Sequence, residues 1–155
     1  MQLVATSRLD AAIMVVSPSA QSGAAGTVET SLATFAEAVE RARPGDVIRM
    51  AGGTYKPDKT IRFTSSSTAE VRIRIEPADG TRSILDCAGN ESDRRVSGLI
   101  FEGDYWHLVG LEVRNALRYG IDIARRFDNN FLARNTSTCV RMLLNNIRQL
   151  RMKKF

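Results

Sequence analysis

Two cysteines in 155 residues, Cys87 and Cys139, lie too far apart for the close pairs of a zinc site and are too few for a disulfide framework. Each is expected to be a small packing residue or incidental. No apolar run approaches the length needed to span a bilayer, so membrane insertion by a helix is not expected. Lysine is confined to positions 56, 59, 153 and 154, which leaves lysine-dependent chemistry few candidates. His107 is the sole histidine, and the sequence places no second ligand or paired carboxylate beside it. We therefore read it as a surface or rung-stacking residue rather than a general base.

What the chain does contain is ordinary globular material, 43% hydrophobic and 25% charged residues, which argues against disorder and fits one domain. Net charge is +5, carried mostly by arginine, with a pI near 9.7. That balance favours acidic partners, polyuronates and nucleic acids alike. Nucleic acid is the weaker choice, because no helix-turn-helix, zinc-finger or RNP pattern is present. Residues 1–12 read as a leader or disordered segment; Arg8 and Asp10 interrupt the apolar part that a secretory signal would need.

Along the chain, Ile13 to Val16 suggests a first strand and the Ser/Ala/Gly/Thr-rich stretch 17–31 a loop. Thr34 and Glu37 form a capping-box pattern opening a helix over about 35–43, with Phe35, Val39 and Ala42 on one face and Pro44-Gly45 as its stop. Strands are then expected at Asp46–Met50, around Ile61 and Phe63, through Val71, Ile73 and Ile75, and at Ile84-Leu85, with Gly52-Gly53-Thr54-Tyr55 as a turn. The clearest stretch is Gly98 to Ile123. Trp106 and Leu108, then Leu111 and Val113, alternate with polar residues, and Val109-Gly110 bends the chain between two short strands. Gly110 to Asn115 echoes at Asn130 to Asn135, about twenty residues on at solenoid spacing, which sets Phe131 opposite the apolar Leu111 and Arg134-Asn135 opposite Arg114-Asn115. Residues 139–155 show helical spacing of Val140, Leu143, Leu144, Ile147 and Leu150, a carboxy-terminal amphipathic helix. Many short strands after one helix argue for an all-β fold; periodicity leaves a sandwich and a solenoid both open. In a solenoid, the helix at Phe35 would cap the first coil.

Ser31-Leu32-Ala33-Thr34-Phe35, Arg43-Pro44-Gly45-Asp46-Val47-Ile48, Gly52-Gly53-Thr54-Tyr55 and Tyr105-Trp106-His107-Leu108-Val109-Gly110-Leu111-Glu112-Val113 together resemble the amino-terminal part of right-handed parallel β-helix polysaccharide lyases. The likeness is strongest to the pectate lyases of family 9 and extends to the alginate and chondroitin lyases of family 6. It covers roughly residues 13–136 and implies a short solenoid of few coils within a single domain, followed by a divergent tail at 137–155. It also implies an acidic polysaccharide lying along one parallel sheet, calcium bridging a uronate carboxylate, a basic residue removing the C5 proton, and an extracellular or periplasmic location. The family's calcium aspartates and catalytic lysine belong to coils later than Asn129-Asn130-Phe131, and nothing after Thr138 matches them. The resemblance therefore implies a shortened β-helix that is inactive alone; a non-catalytic polyanion-binding module is the alternative. Arg114, Arg118, Arg125, Arg126 and Arg134 are the candidate substrate-binding stripe, since guanidinium pairs with carboxylate in bidentate fashion. Asp122 and Asp128 are weak calcium candidates, and turn formation explains Asp128-Asn129-Asn130 more simply.

Overall fold

The computed structural model describes residues 11–19, 34–88, 97–124, 129–137 and 140–142. Strand β1 (Ile13–Val16) precedes helix α1 (Phe35–Arg41), after which strands follow one another in threes. The first coil is β2 (Val47–Met50), β3 (Gly53–Tyr55) and β4 (Ile61–Phe63); the second is β5 (Ile73–Pro77), β6 (Ser83–Asp86) and β7 (Leu99–Phe101). The third is β8 (Trp106–Val109), β9 (Leu111–Arg114) and β10 (Ile121–Ile123), and the fourth is β11 (Phe131–Ala133), β12 (Thr136–Ser137) and β13 (Val140–Met142). Each strand pairs in parallel with its counterpart one coil away. Sheet 1 is β1-β2-β5-β8-β11, sheet 2 is β12-β9-β6-β3, and sheet 3 is β13-β10-β7-β4. This winding is a parallel β-helix, and it removes the sandwich alternative.

Alternation along each strand sends one set of side chains inward, where register stacks like on like. In sheet 1 the column is Met14, Ile48, Ile75, Leu108 and Leu132, all buried. In sheet 3, Phe63 lies over Phe101 with ring centroids 4.2 Å apart and planes 9° from parallel. Trp106 meets Phe63 edge-on at 4.9 Å and donates its indole N–H to the Ser65 carbonyl at 2.7 Å. A buried indole needs such a partner.

The amino-terminal end is closed by β1 and α1. The Thr34 hydroxyl accepts from the Glu37 amide at 3.2 Å while the Glu37 carboxylate accepts from the Thr34 amide at 3.4 Å, completing the capping box. Glu37 in the first turn and Arg41 in the last both suit the helix dipole. Phe35, Ala38 and Val39 are buried, and Phe35 reaches Phe63 at 6.3 Å. Asp46 ties the following turn down, accepting from Arg43 N at 2.8 Å and Ala12 N at 2.9 Å.

Four expectations change. Gly53–Tyr55 is a strand rather than a turn, paired with β6. Val71 is exposed and precedes β5. Val140–Met142, assigned from its spacing to the start of a helix, is a strand on β10; the rest of 139–155 lies outside the described residues. The echo also has a different register: β11 stacks on β8, not β9, so Phe131 faces His107 and points outward while Leu132 takes the inward place. The true offset shows in two asparagines, each 24 residues from the amide it serves: Asn130 accepts from Trp106 N at 2.8 Å and Asn135 from Leu111 N at 2.9 Å. Gly110 and Arg134 share the same corner between sheets 1 and 2, with φ of 68° and 54°. Only a sharp left-handed residue joins strands so closely spaced.

Candidate polyanion-binding surface

Outward-facing arginines collect around single glutamates on two sheets. On sheet 2, Glu112 and Arg114 lie two apart on β9 and so share a face, and the Arg114 Nε donates to Glu112 Oε1. Arg82, just before β6 on the preceding coil, donates from Nη2 to Glu112 Oε2. The Glu112 side chain is 11% exposed, against 69% for Arg82 and 45% for Arg114. Burial alone would raise the Glu112 pKa, but the hydrogen bonds and charges of Arg114 and Arg82 outweigh it and hold the carboxyl below its ordinary range. The cluster keeps net positive charge, and each guanidinium has five N–H donors, more than Glu112 uses. Beside it, Asn115 donates to Asp86 at 2.8 Å and the Ala88 amide adds a second bond at 3.1 Å, which together lower the Asp86 pKa.

The lowered Glu112 value has a stability consequence. A carboxyl whose native pKa is depressed contributes stability that is present above its ordinary value of 4.5 and lost as pH falls through the native value. Wild-type protein is expected to lose stability across that acid window in pH-dependent urea titrations, and Glu112→Gln to flatten this limb. An unaltered slope in Glu112→Gln would refute the assignment.

On sheet 1, Glu76 plays the same part between Arg49 at 3.3 Å and Arg74 at 3.0 Å. Arg74, His107 and Phe131 follow one another in register on successive coils. The His107 and Phe131 rings meet edge-to-face at 4.5 Å and 82°. Arg72 lies over the Tyr105 ring at 5.3 Å and donates to the Asn129 carbonyl at 3.2 Å. Burial first, then Arg74 and Arg72, push the His107 pKa down against the opposing pull of Glu76, which favours the neutral imidazole.

Of the arginines named from sequence, the three that are described, Arg114, Arg118 and Arg134, stand at separate places on the coils. Arg114 belongs to the sheet 2 cluster, Arg118 stacks on its neighbour Tyr119 at 5.1 Å, and Arg134 occupies the corner above Gly110. Arg114 thus ends β9, whereas Arg134 precedes β12 and lies level with Gly110, because the coil is longer than the twenty-residue echo. Arg125, Arg126 and Asp128 lie outside the described residues. Asp122 faces outward from β10 and accepts from the Ser97 hydroxyl at 3.4 Å. Calcium takes six to eight oxygen ligands, and among the described residues no group of three or more His, Cys, Asp or Glu is placed to hold a metal ion. The described residues therefore do not fit the calcium that the family resemblance implies. Sequence reading missed Arg49, Arg72, Arg74 and Arg82. The alternation of Arg72, Arg74 and Glu76 puts them on one face, and Arg74 pairs with Glu76 on its own strand, but the partners of Arg49, Arg72 and Arg82 come from other coils.

Residues 14–144 match the family described as "Pel9A-like, right handed beta helix region". The chain belongs to this Pel9A-like β-helix family. Among curated relatives, pectate lyase PEL9 of Emericella nidulans is 34% identical over 139 residues, covering 82% of this chain and 33% of the relative. The solved structure of pectate lyase Pel9A superposes with a TM-score of 0.62 at 24% identity, over 81% of this chain and 32% of that one. A rhamnogalacturonan lyase shares the fold at a TM-score of 0.71 and 19% identity, over 81% of this chain and 35% of that one. The Pel9A-like coils here thus span about a third of the length of these relatives.

Proposed function

We propose that these Pel9A-like coils bind an acidic polysaccharide and do not cleave it by themselves. The observation that carries this reading is the pair of Arg–Glu–Arg clusters on sheets 1 and 2. In each, a carboxylate holds two guanidiniums in place, so less side-chain entropy is lost when a second carboxylate docks. Relatives named as pectate lyases supply the ligand class, a polymer of uronic acids, and with it an extracellular or periplasmic setting. Among the described residues, no group of three or more His, Cys, Asp or Glu is placed to hold a metal ion.

The test is polygalacturonate binding across a salt series, run with calcium present while ultraviolet absorbance follows unsaturated uronate product. We expect binding that weakens with salt and no product. The double variant Arg82→Ala/Arg114→Ala is expected to bind about tenfold more weakly, the loss of two charge-assisted contacts. Product formation would refute the non-cleaving part. Absence of binding at low salt, or preference for DNA in direct competition, would refute the polysaccharide part.

A further inference from the structure

We infer that the outward face of sheet 1 is a stacking subsite for a uronic acid ring, with Phe131 and His107 as its wall and Arg74 as its cation. This rests on the acidic-polysaccharide reading and adds a location and a selectivity to it. Phe131 faces outward and is half-buried, while the inward place beside it belongs to Leu132. The core therefore does not require a phenyl ring at 131. His107 fixes that ring by meeting it edge-on at 4.5 Å, leaving an ordered aromatic surface.

Arg74 lies on the far side of His107 in the same register, so wall and cation are two strand spacings apart, about 10 Å. Its contact with Glu76 runs through Nη2 at 3.0 Å, and the arginine side chain remains 51% exposed. Arg72 adds a second cation at the edge, held by Tyr105 and the Asn129 carbonyl. A sugar ring has an apolar C–H face that packs on an aromatic ring and, in a uronic acid, a carboxylate that pairs with guanidinium. A polyphosphate offers the anion without the apolar face. The juxtaposition of phenyl, imidazole and guanidinium therefore selects acidic sugars over other polyanions.

The sole histidine gives imidazole proton resonances that need no further assignment. Wild-type protein and the variants Phe131→Ala, Phe131→Tyr and Arg74→Ala are titrated with a short oligogalacturonate and, separately, with polyphosphate, by NMR and calorimetry. Circular dichroism checks that each variant is folded. The His107 signals are expected to shift saturably with oligogalacturonate. Phe131→Ala should weaken oligogalacturonate binding about fivefold, the scale of one aromatic contact, and leave polyphosphate binding unchanged. Phe131→Tyr should retain wild-type affinity, and Arg74→Ala should weaken both ligands. Calorimetric binding of oligogalacturonate with unmoved His107 signals, or wild-type affinity in Phe131→Ala, would overturn this subsite while leaving the acidic-polysaccharide reading intact. No binding of oligogalacturonate or polygalacturonate at low salt would overturn both.

Discussion

Phe63→Ala lowers the free energy of unfolding by about 3–5 kcal/mol, the range for deleting a fully buried phenyl ring, and the urea midpoint falls accordingly. Phe63 joins three parts of the fold. It stacks on Phe101 one coil away, meets Trp106 edge-on across the interior, and touches Phe35 of the capping helix. Alanine leaves a cavity bounded by three aromatic rings, those of Phe35, Phe101 and Trp106, in a close-packed interior. The same variant loosens α1, because Phe35 loses its partner in sheet 3. Phe63→Leu keeps part of the volume and loses less than Phe63→Ala. A loss below about 1 kcal/mol for Phe63→Ala would mean that the aromatic column is not a packed core.

Asn135→Ala costs about 2–4 kcal/mol, the sum expected for two buried backbone groups left without partners. Its amide is 1% exposed and serves both sides of the corner at Gly110: Oδ1 accepts from Leu111 N at 2.9 Å, and Nδ2 donates to Leu108 O at 2.9 Å. Strands β8 and β9 diverge there into different sheets, so the side chain supplies the coil-to-coil bonding that backbone ladders provide elsewhere. Asn135→Asp keeps the acceptor for Leu111 N but sets a carboxylate oxygen against the Leu108 carbonyl, so it is destabilising as well. Amide exchange separates this from a general loss of stability. Leu111 N–H should exchange faster in Asn135→Ala under conditions where Ile75 and Leu85 remain protected. Unchanged Leu111 exchange would contradict the role.

Elements whose signal is local were legible from sequence. The capping box at Thr34 and Glu37, the stop at Pro44-Gly45 and the alternation from Trp106 to Val113 all report on backbone bonding within a few residues, and each appears in the structure. β3 was hidden because its first residue is glycine and its length is three, a pattern shared with turns. Val140–Met142 was hidden because a three-residue strand has too few positions to separate period 2 from period 3.6. The register failed for a specific reason: Arg-Asn occurs both at 114–115 and at 134–135, and Asn115 and Arg134 both adopt positive φ, but at different corners. Stacking follows the coil rather than the matching letters. With the register shifted, Phe131 moved from the core to the sheet 1 face, and the Arg–Glu–Arg clusters, assembled across coils, could not be read from any one segment.

The 24-residue register of β11 on β8 underlies both the core and the proposed subsite, and one NMR experiment addresses it directly. Strong nuclear Overhauser contacts are expected between protons of the His107 and Phe131 rings, whose centroids are 4.5 Å apart, together with contacts from the Leu132 methyls to those of Leu108. Contacts from the Phe131 ring to the methyls of Leu111 and Val113, with none to His107, would contradict that register.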